Sequence, residues 1–322
     1  SLRAYDLYRL LLLEASAYGC NMSVPYGGWM GNTIKDAFYP PRDVTAQVQD
    51  FLADHEGLFG KKSGANVLVL YSFPSYYWRE AISGYSDSML DGQEGILSYS
   101  VADMDDPNSV RLPFWEVIKD LSDRQVVYDV KFTADGELRE DRFGAEDLSG
   151  YEVAIIPDCM ALTAGQTGVL REYAKKGGKL LIFGEAGTNV KGWLEDIRDG
   201  GNVIFASNDA FKPIKNFEEA FDKAYGGLWQ VRADNPRVGL QTHKTENGTA
   251  IHIINYGYNR ESDEIKPIEE LNLSIRGEFT DPVIRLHTLN DKKVEYTAEA
   301  ENDTLNIKLF NIPIYTIVEL KN

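Results

Sequence analysis

Cysteine is nearly missing from this sequence: Cys20 and Cys159 are the only two among 322 residues. They fall in separate segments, which excludes the disulfide framework that staples small secreted domains. Histidine is scarce as well. His55, His243, His252 and His287 show no metal-ligand spacing, so no metal is assigned to them. Positive charge is in deficit, with 33 Lys and Arg against 50 Asp and Glu and a formal net charge of −17. Such a field repels phosphate and anionic headgroups, and no basic cluster offsets it, so neither nucleic acid nor a membrane is expected as a partner. Apolar runs stay short: Leu10–Leu13 lies inside an amphipathic helix, and nothing approaches the roughly 20 residues of a spanning helix. Tyr71-Ser72-Phe73-Pro74-Ser75, after the first strong strand signal, lacks the glycines that let a backbone cradle a pyrophosphate. No flavin, nucleotide or other cofactor is therefore expected. The start Ser1-Leu2-Arg3 has neither an initiator Met nor a basic region followed by an apolar one, so no signal peptide is read there. A natural chain that begins upstream, in a bacterial cytoplasm, is the expectation.

What is present is ordinary globular composition, 43% hydrophobic and 26% charged, in a chain longer than one core usually organises. Residues 5–18 carry Leu and Tyr at helical spacing, then Gly19–Tyr26 reads as one strand entering a glycine-rich loop. A second helix follows Pro40-Pro41-Arg42-Asp43, with Val44, Val48, Phe51 and Leu52 on one face. From Val67 the pattern becomes strand, helix, strand. Val67–Tyr71, Val126–Val130, Val153–Pro157, Lys179–Phe183 and Asn202–Phe205 are apolar runs of the kind that parallel strands buried on both faces display. Phe114–Leu121 and Thr163–Lys176 are the helices between them, which dictates a parallel sheet covered on both sides. After a helical linker near Phe217–Ala224 the period falls to two, in short segments from Gly248 to Leu320, as in an antiparallel sandwich.

A parallel sheet invites a search for a nucleophile at a sharp strand-to-helix turn. Gly184-Glu185-Ala186-Gly187 is the candidate turn, and it offers a carboxylate where a thiol or hydroxyl is required. Cys159 has Asp158 for a neighbour rather than a base, so a structural cysteine is expected. Asp158 and Glu185 sit at carboxyl ends of strands, where open α/β sheets bind ligands, or else serve as helix caps. With Tyr71 and the loop aromatics Tyr76 and Trp78 they form a candidate sheet-edge pocket. Asp103, Asp105 and Asp106 lack the calcium-loop pattern and read as a solvated acidic loop.

Tyr151–Pro157, then Leu162–Tyr173, then Gly177–Ile182, resemble the trimerisation domain of family-forty-two β-galactosidases. The resemblance implies a flavodoxin-like, class I amidotransferase-like fold without its active site. Residues from about Gly239 to Lys321 are similar to the small β-sandwich that follows it in that family. Upstream, Tyr5–Gly27 resembles the last helix and eighth strand of the family's (β/α)₈ barrel, so residues 1–64 are expected to be a barrel-end remnant with a linker helix. Residues 65–210 would be the flavodoxin-like domain, and residues 211–322 a linker helix with the sandwich.

The family's two catalytic carboxylates lie on earlier barrel strands, so no catalytic residue is carried over, and the isolated chain is expected to be inactive. Asn21, Tyr26 and Trp29 are candidates for the rim of a sugar subsite. The expected function is a non-catalytic oligomerisation or accessory region of a glycoside hydrolase-like protein. Its partners would be further copies of the chain, with a trimer as one form, and a carbohydrate ligand. The alternatives are a free-standing sugar- or metabolite-binding protein using the sheet edge, and a glycosidase whose catalytic barrel lies outside this chain.

Overall fold

A computed structural model describes residues 5–20, 42–60, 62–75, 113–207, 213–279 and 281–321. The expected strand at Gly19–Tyr26 and the acidic loop at residues 103–106 fall largely or wholly outside them. In chain order the elements are α1 (Asp6–Ala17), α2 (Arg42–Asp54) and β1 (Lys62–Ser63). Next come β2 (Val67–Ser72), α3 (Pro113–Asp123), β3 (Tyr128–Thr133), β4 (Val153–Pro157), α4 (Ala164–Lys175), β5 (Lys179–Phe183), β6 (Val203–Ala206) and α5 (Pro213–Tyr225). The chain closes with β7 (Val231–Ala233), β8 (Val238–Thr245), β9 (Gly248–Asn255), β10 (Tyr258–Asn259), β11 (Glu264–Ile265), β12 (Ile268–Arg276), β13 (Val283–Thr288), β14 (Glu295–Glu301), β15 (Thr304–Ile312) and β16 (Tyr315–Lys321). No helix among the described residues is long and apolar enough to cross a membrane.

Two compact units result: Ala65–Arg124 with Tyr128–Trp229, and Ser1–Gly64 with Gln125–Val127 and Gln230–Asn322. The first is a parallel sheet in the order β3-β2-β4-β5-β6. That is the strand order of flavodoxin-like sheets, with the reversal of direction between β2 and β4. Every residue of β4 is buried, as a strand covered on both faces requires. α4 starts on a reciprocal cap in which Gln166 N donates to Thr163 Oγ1 at 3.0 Å and Thr163 N donates to Gln166 Oε1 at 3.0 Å. It ends at Gly177, whose φ of 98° is the left-handed turn that glycine makes without a Cβ penalty.

The helix read from sequence as a linker, α5, instead packs on this sheet. Phe217, Phe221 and Tyr225 follow one another at four-residue spacing, with stacked rings 5.7 and 4.9 Å apart, and Phe217 meets Phe183 of β5 at 5.5 Å. Lys179 Nζ donates to Ala224 O at 2.8 Å. Arg124, just beyond α3, ties α3 to α5, with Nε 3.0 Å from Asp120 Oδ2 and Nη1 2.7 Å from Asp222 Oδ1.

The second unit is antiparallel. Its sheets run β1-β8-β9-β16-β13 and β14-β15-β12-β7, beside a β10-β11 hairpin. On one face of the five-stranded sheet, Leu10, Leu13, Val48 and Phe51 of α1 and α2 share a core with Ala250, Ile254, Tyr315 and Ile317. All four histidines gather in this unit as two edge-to-face pairs, His55 with His287 and His243 with His252, each 4.8 Å between ring centroids. They are partnered rather than clustered for a metal. His243 faces Ala17 O at 2.7 Å and Gly60 O at 3.0 Å, while His287 Nε2 lies 2.9 Å from Glu319 Oε2. No group of three or more His, Cys, Asp or Glu among the described residues could hold a metal ion.

Candidate functional site

In an open parallel sheet, ligands settle at the carboxyl ends of the strands, where the strand order reverses. Here that place lies beyond Ser72 of β2 and Pro157 of β4, and the chain has closed it with its own hydrogen bonds. Ser72 Oγ donates to Ala161 O at 2.7 Å, and Ser75 joins it, with its hydroxyl 2.7 Å from Ser72 Oγ and accepting from Ala161 N at 2.9 Å. The segments after β4 and β5 are laced together as well. Gly187 N donates to Cys159 O at 2.8 Å, and Thr188 N to Met160 O at 2.7 Å. The Asn189 carboxamide clips Leu162 from both sides, accepting from its N–H at 3.0 Å and donating to its carbonyl at 2.8 Å.

Asp158 belongs to the same lacing. It adopts a φ of 48°, a left-handed conformation that Asp tolerates better than most residues, and its Oδ1 accepts from Glu185 N at 2.8 Å. The carboxylate therefore holds the neighbouring loop. Glu185 itself is exposed. β5 runs into turns rather than a helix, so Gly184–Gly187 is no strand-to-helix elbow. Gly187 N and Ala186 O are both engaged, the latter by Trp193 Nε1 at 3.1 Å.

Cys159 is 1% exposed, its sulfur 3.8 Å from Leu70 O and 3.7 Å from Pro157 O, in the apolar core between sheet and α4. Those are the surroundings of a structural thiol. No histidine occurs between residues 65 and 229, so a thiol–imidazole pair cannot form within this unit. A thiol reagent applied to the native chain should accordingly titrate the exposed Cys20 quickly and Cys159 only after denaturation. Two fast thiols per chain would contradict this geometry.

Tyr71 turns to different partners. Its ring packs edge to face on Phe114 at 4.7 Å, Phe132 at 5.3 Å and Phe73 at 5.4 Å. Arg139 lies 5.6 Å over Phe73, and Phe132 stays 57% exposed on the edge strand β3. This aromatic group was not legible in the sequence, where Phe132 follows the end of the expected strand and Phe114 reads as an ordinary helix residue. Nor were Ser72, Ser75 and Asn189, whose partners are distant in the chain. Asn21, Tyr26 and Trp29, expected at a sugar subsite, and Tyr76 and Trp78, expected over the sheet edge, lie outside the described residues.

With the fold on the page, comparison with known proteins becomes informative. No protein-family model and no curated protein sequence matches the chain. Solved structures do. The fold is one found in glycoside hydrolases. α-L-Fucosidase isoenzyme 2 from Paenibacillus thiaminolyticus is similar over all of this chain, at TM-score 0.56 and 10% identity. The β-galactosidase from Bacillus circulans sp. alkalophilus is similar over all of it at 0.54 and 12%, and a catalytic mutant of Gan42B, a GH42 β-galactosidase from G. stearothermophilus, over 99% at 0.52 and 11%. The chain spans 58%, 53% and 51% of those proteins, respectively. At such identities the likeness is one of fold.

Proposed function

We propose that this chain is a non-catalytic assembly and accessory region of a carbohydrate-active, glycoside hydrolase-like protein, with the parallel-sheet unit as the self-associating part. The observation that carries the proposal is the closed carboxyl edge. Where this sheet type would hold a nucleophile or a ligand, Ser72, Ser75, Asp158 and Asn189 hydrogen-bond to backbone instead. A group already committed to the backbone is not available to attack or bind a substrate without disrupting the loops it fastens. The fold likeness to glycoside hydrolases supports the carbohydrate context.

A second reading is favoured by the chain's spanning little more than half of those hydrolases. In it, the whole protein is a glycosidase whose catalytic barrel lies outside this chain, and Asn21, Tyr26 and Trp29 would line the rim of its sugar site. A free-standing sugar or metabolite pocket at the sheet edge is less supported, because Asp158 and Tyr71 already have partners.

Light scattering on the purified chain, coupled to size exclusion, is the test. A mass that is a multiple of the chain mass is expected, together with no turnover of p-nitrophenyl β-D-galactoside or α-L-fucoside above buffer. A monomer at every concentration would sink the assembly role. Turnover by the pure chain would sink the non-catalytic one.

A further inference from the structure

Between the two sheets of the antiparallel unit, at the end where β8, β9 and β16 meet β7 and β12, lies a cavity of about 320 Å³. Val231, Ile251, Ile275 and Leu320 give it apolar walls, and the half-buried Phe279 ring contributes a further apolar face. Two oxygens on its lining are out of place in such surroundings. Thr242 is 5% exposed, and its Oγ1 is shut off from water without a hydrogen-bond partner. Gln230 Oε1 is in the same condition. Buried polar atoms normally find partners, and one left alone costs the full penalty of its lost hydration.

The orientation of the carboxamide is fixed by its other end, since Gln230 Nε2 donates to Gly64 O at 2.5 Å. Its oxygen can only accept, so it calls for a donor from within the cavity. The Thr242 hydroxyl can donate or accept. Gly64 leaves room in front of that hydroxyl, where a Cβ at this position would lie 2.3 Å from Thr242 Oγ1. At the rim, Lys244, Arg276 and Glu278 are exposed, and Arg276 Nε stands 3.5 Å from Asp303 Oδ2. Charges of both signs there select no ion.

We propose that this inter-sheet cavity is a binding site for a neutral ligand the size of one sugar ring, whose adjacent hydroxyls pair with Gln230 Oε1 and Thr242 Oγ1 while its apolar face lies on the hydrophobic walls. One hydroxyl donates to Gln230, and its neighbour exchanges a hydrogen bond with Thr242. The volume, near the lower end of small-molecule sites at roughly 300 Å³, suits a single ring rather than an oligosaccharide. The proposal rests on the antiparallel unit alone and is independent of any role for the parallel sheet.

Saturation-transfer NMR on the full chain, with D-galactose and D-glucose as probes, tests it. Transfer to the ring protons of at least one sugar is expected. Thr242→Val should weaken that binding about tenfold, the value of one well-placed hydrogen bond. The same substitution should raise the Tm of the sugar-free chain, because it replaces a buried, unpaired hydroxyl with a methyl of the same shape. Thr242→Ser, which keeps the hydroxyl, should bind as the natural chain does. Absence of transfer to both sugars overturns the proposal, as does transfer of equal strength in Thr242→Val. A lowered Tm in Thr242→Val without any sugar response would identify the cavity as a structural water site, and would overturn it too.

Discussion

Acidification from pH 6.5 toward pH 3 should strip up to about 5 kcal/mol from the antiparallel unit through His252 alone. This ring is fully buried on β9, and burial, helped by the neighbouring His243, pulls its pKa down from 6.5 to about 3. Its partners suit the neutral form: Nε2 donates to Leu58 O at 3.1 Å, and Nδ1 accepts from Tyr315 Oη at 2.5 Å. Tyr315 is itself fully buried. Between pH 6.5 and pH 3 the unfolded chain binds a proton at this imidazole that the folded chain refuses. Unfolding therefore takes up protons in that window, and stability rises with pH. The contribution is whole above 6.5 and gone below 3. Urea unfolding at a series of pH values should show the slope in the natural chain and a flatter profile in His252→Gln, which starts lower at neutral pH because two buried hydrogen bonds are altered. Parallel profiles for the two proteins would show that the ring does not carry the effect.

Replacing Phe217 with Ala should destabilise the parallel-sheet unit by about 3–5 kcal/mol, the range for deleting a buried aromatic side chain. Phe217 is 1% exposed, set between Phe183 of the sheet and Phe221 of its own helix. Its removal empties a space bounded by β5 on one side and by helix backbone on the other, and neither can move in to fill it. If α5 were a linker lying on the surface, the same change would cost less than about 1 kcal/mol. Calorimetry separates the cases, since the transition of this unit should move down by several degrees while that of the antiparallel unit stays in place.

The contrast between these two elements shows what a sequence can and cannot disclose. Val153–Pro157 and Lys179–Phe183 were read from their apolar runs and are strands over those same residues. An uninterrupted run of buried side chains leaves little choice but a strand covered on both faces. α5 was legible as a helix but not as a layer of the sheet unit, because Phe217, Phe221 and Tyr225 declare a buried stripe without naming what buries it. β8 was missed as a strand. Its Gln241, Thr242 and His243 are all buried, one face against α1 and the residues before β1, the other against the second sheet, so the alternation that betrays a half-exposed strand is lost.

At the sheet edge the division is sharper. Asp158 and Glu185 could be picked out because they end strands, and the residue types ruled out a thiol or hydroxyl triad at Gly184–Gly187. That Asp158 holds the Glu185 N–H, and that Ser72 and Ser75 close on Ala161, depends on pairs 27 to 89 residues apart in the chain.

By itself, then, the sequence determined the alternation of strands and helices, the change to period two, and the want of nucleophile, base and phosphate cradle, since each is a property of neighbouring residues. Tertiary structure alone decided which strand ends meet, that they meet in hydrogen bonds to backbone, and that two oxygens between the sheets are left without partners. Whether a polar group is satisfied depends on atoms that only the folded chain brings within hydrogen-bonding distance.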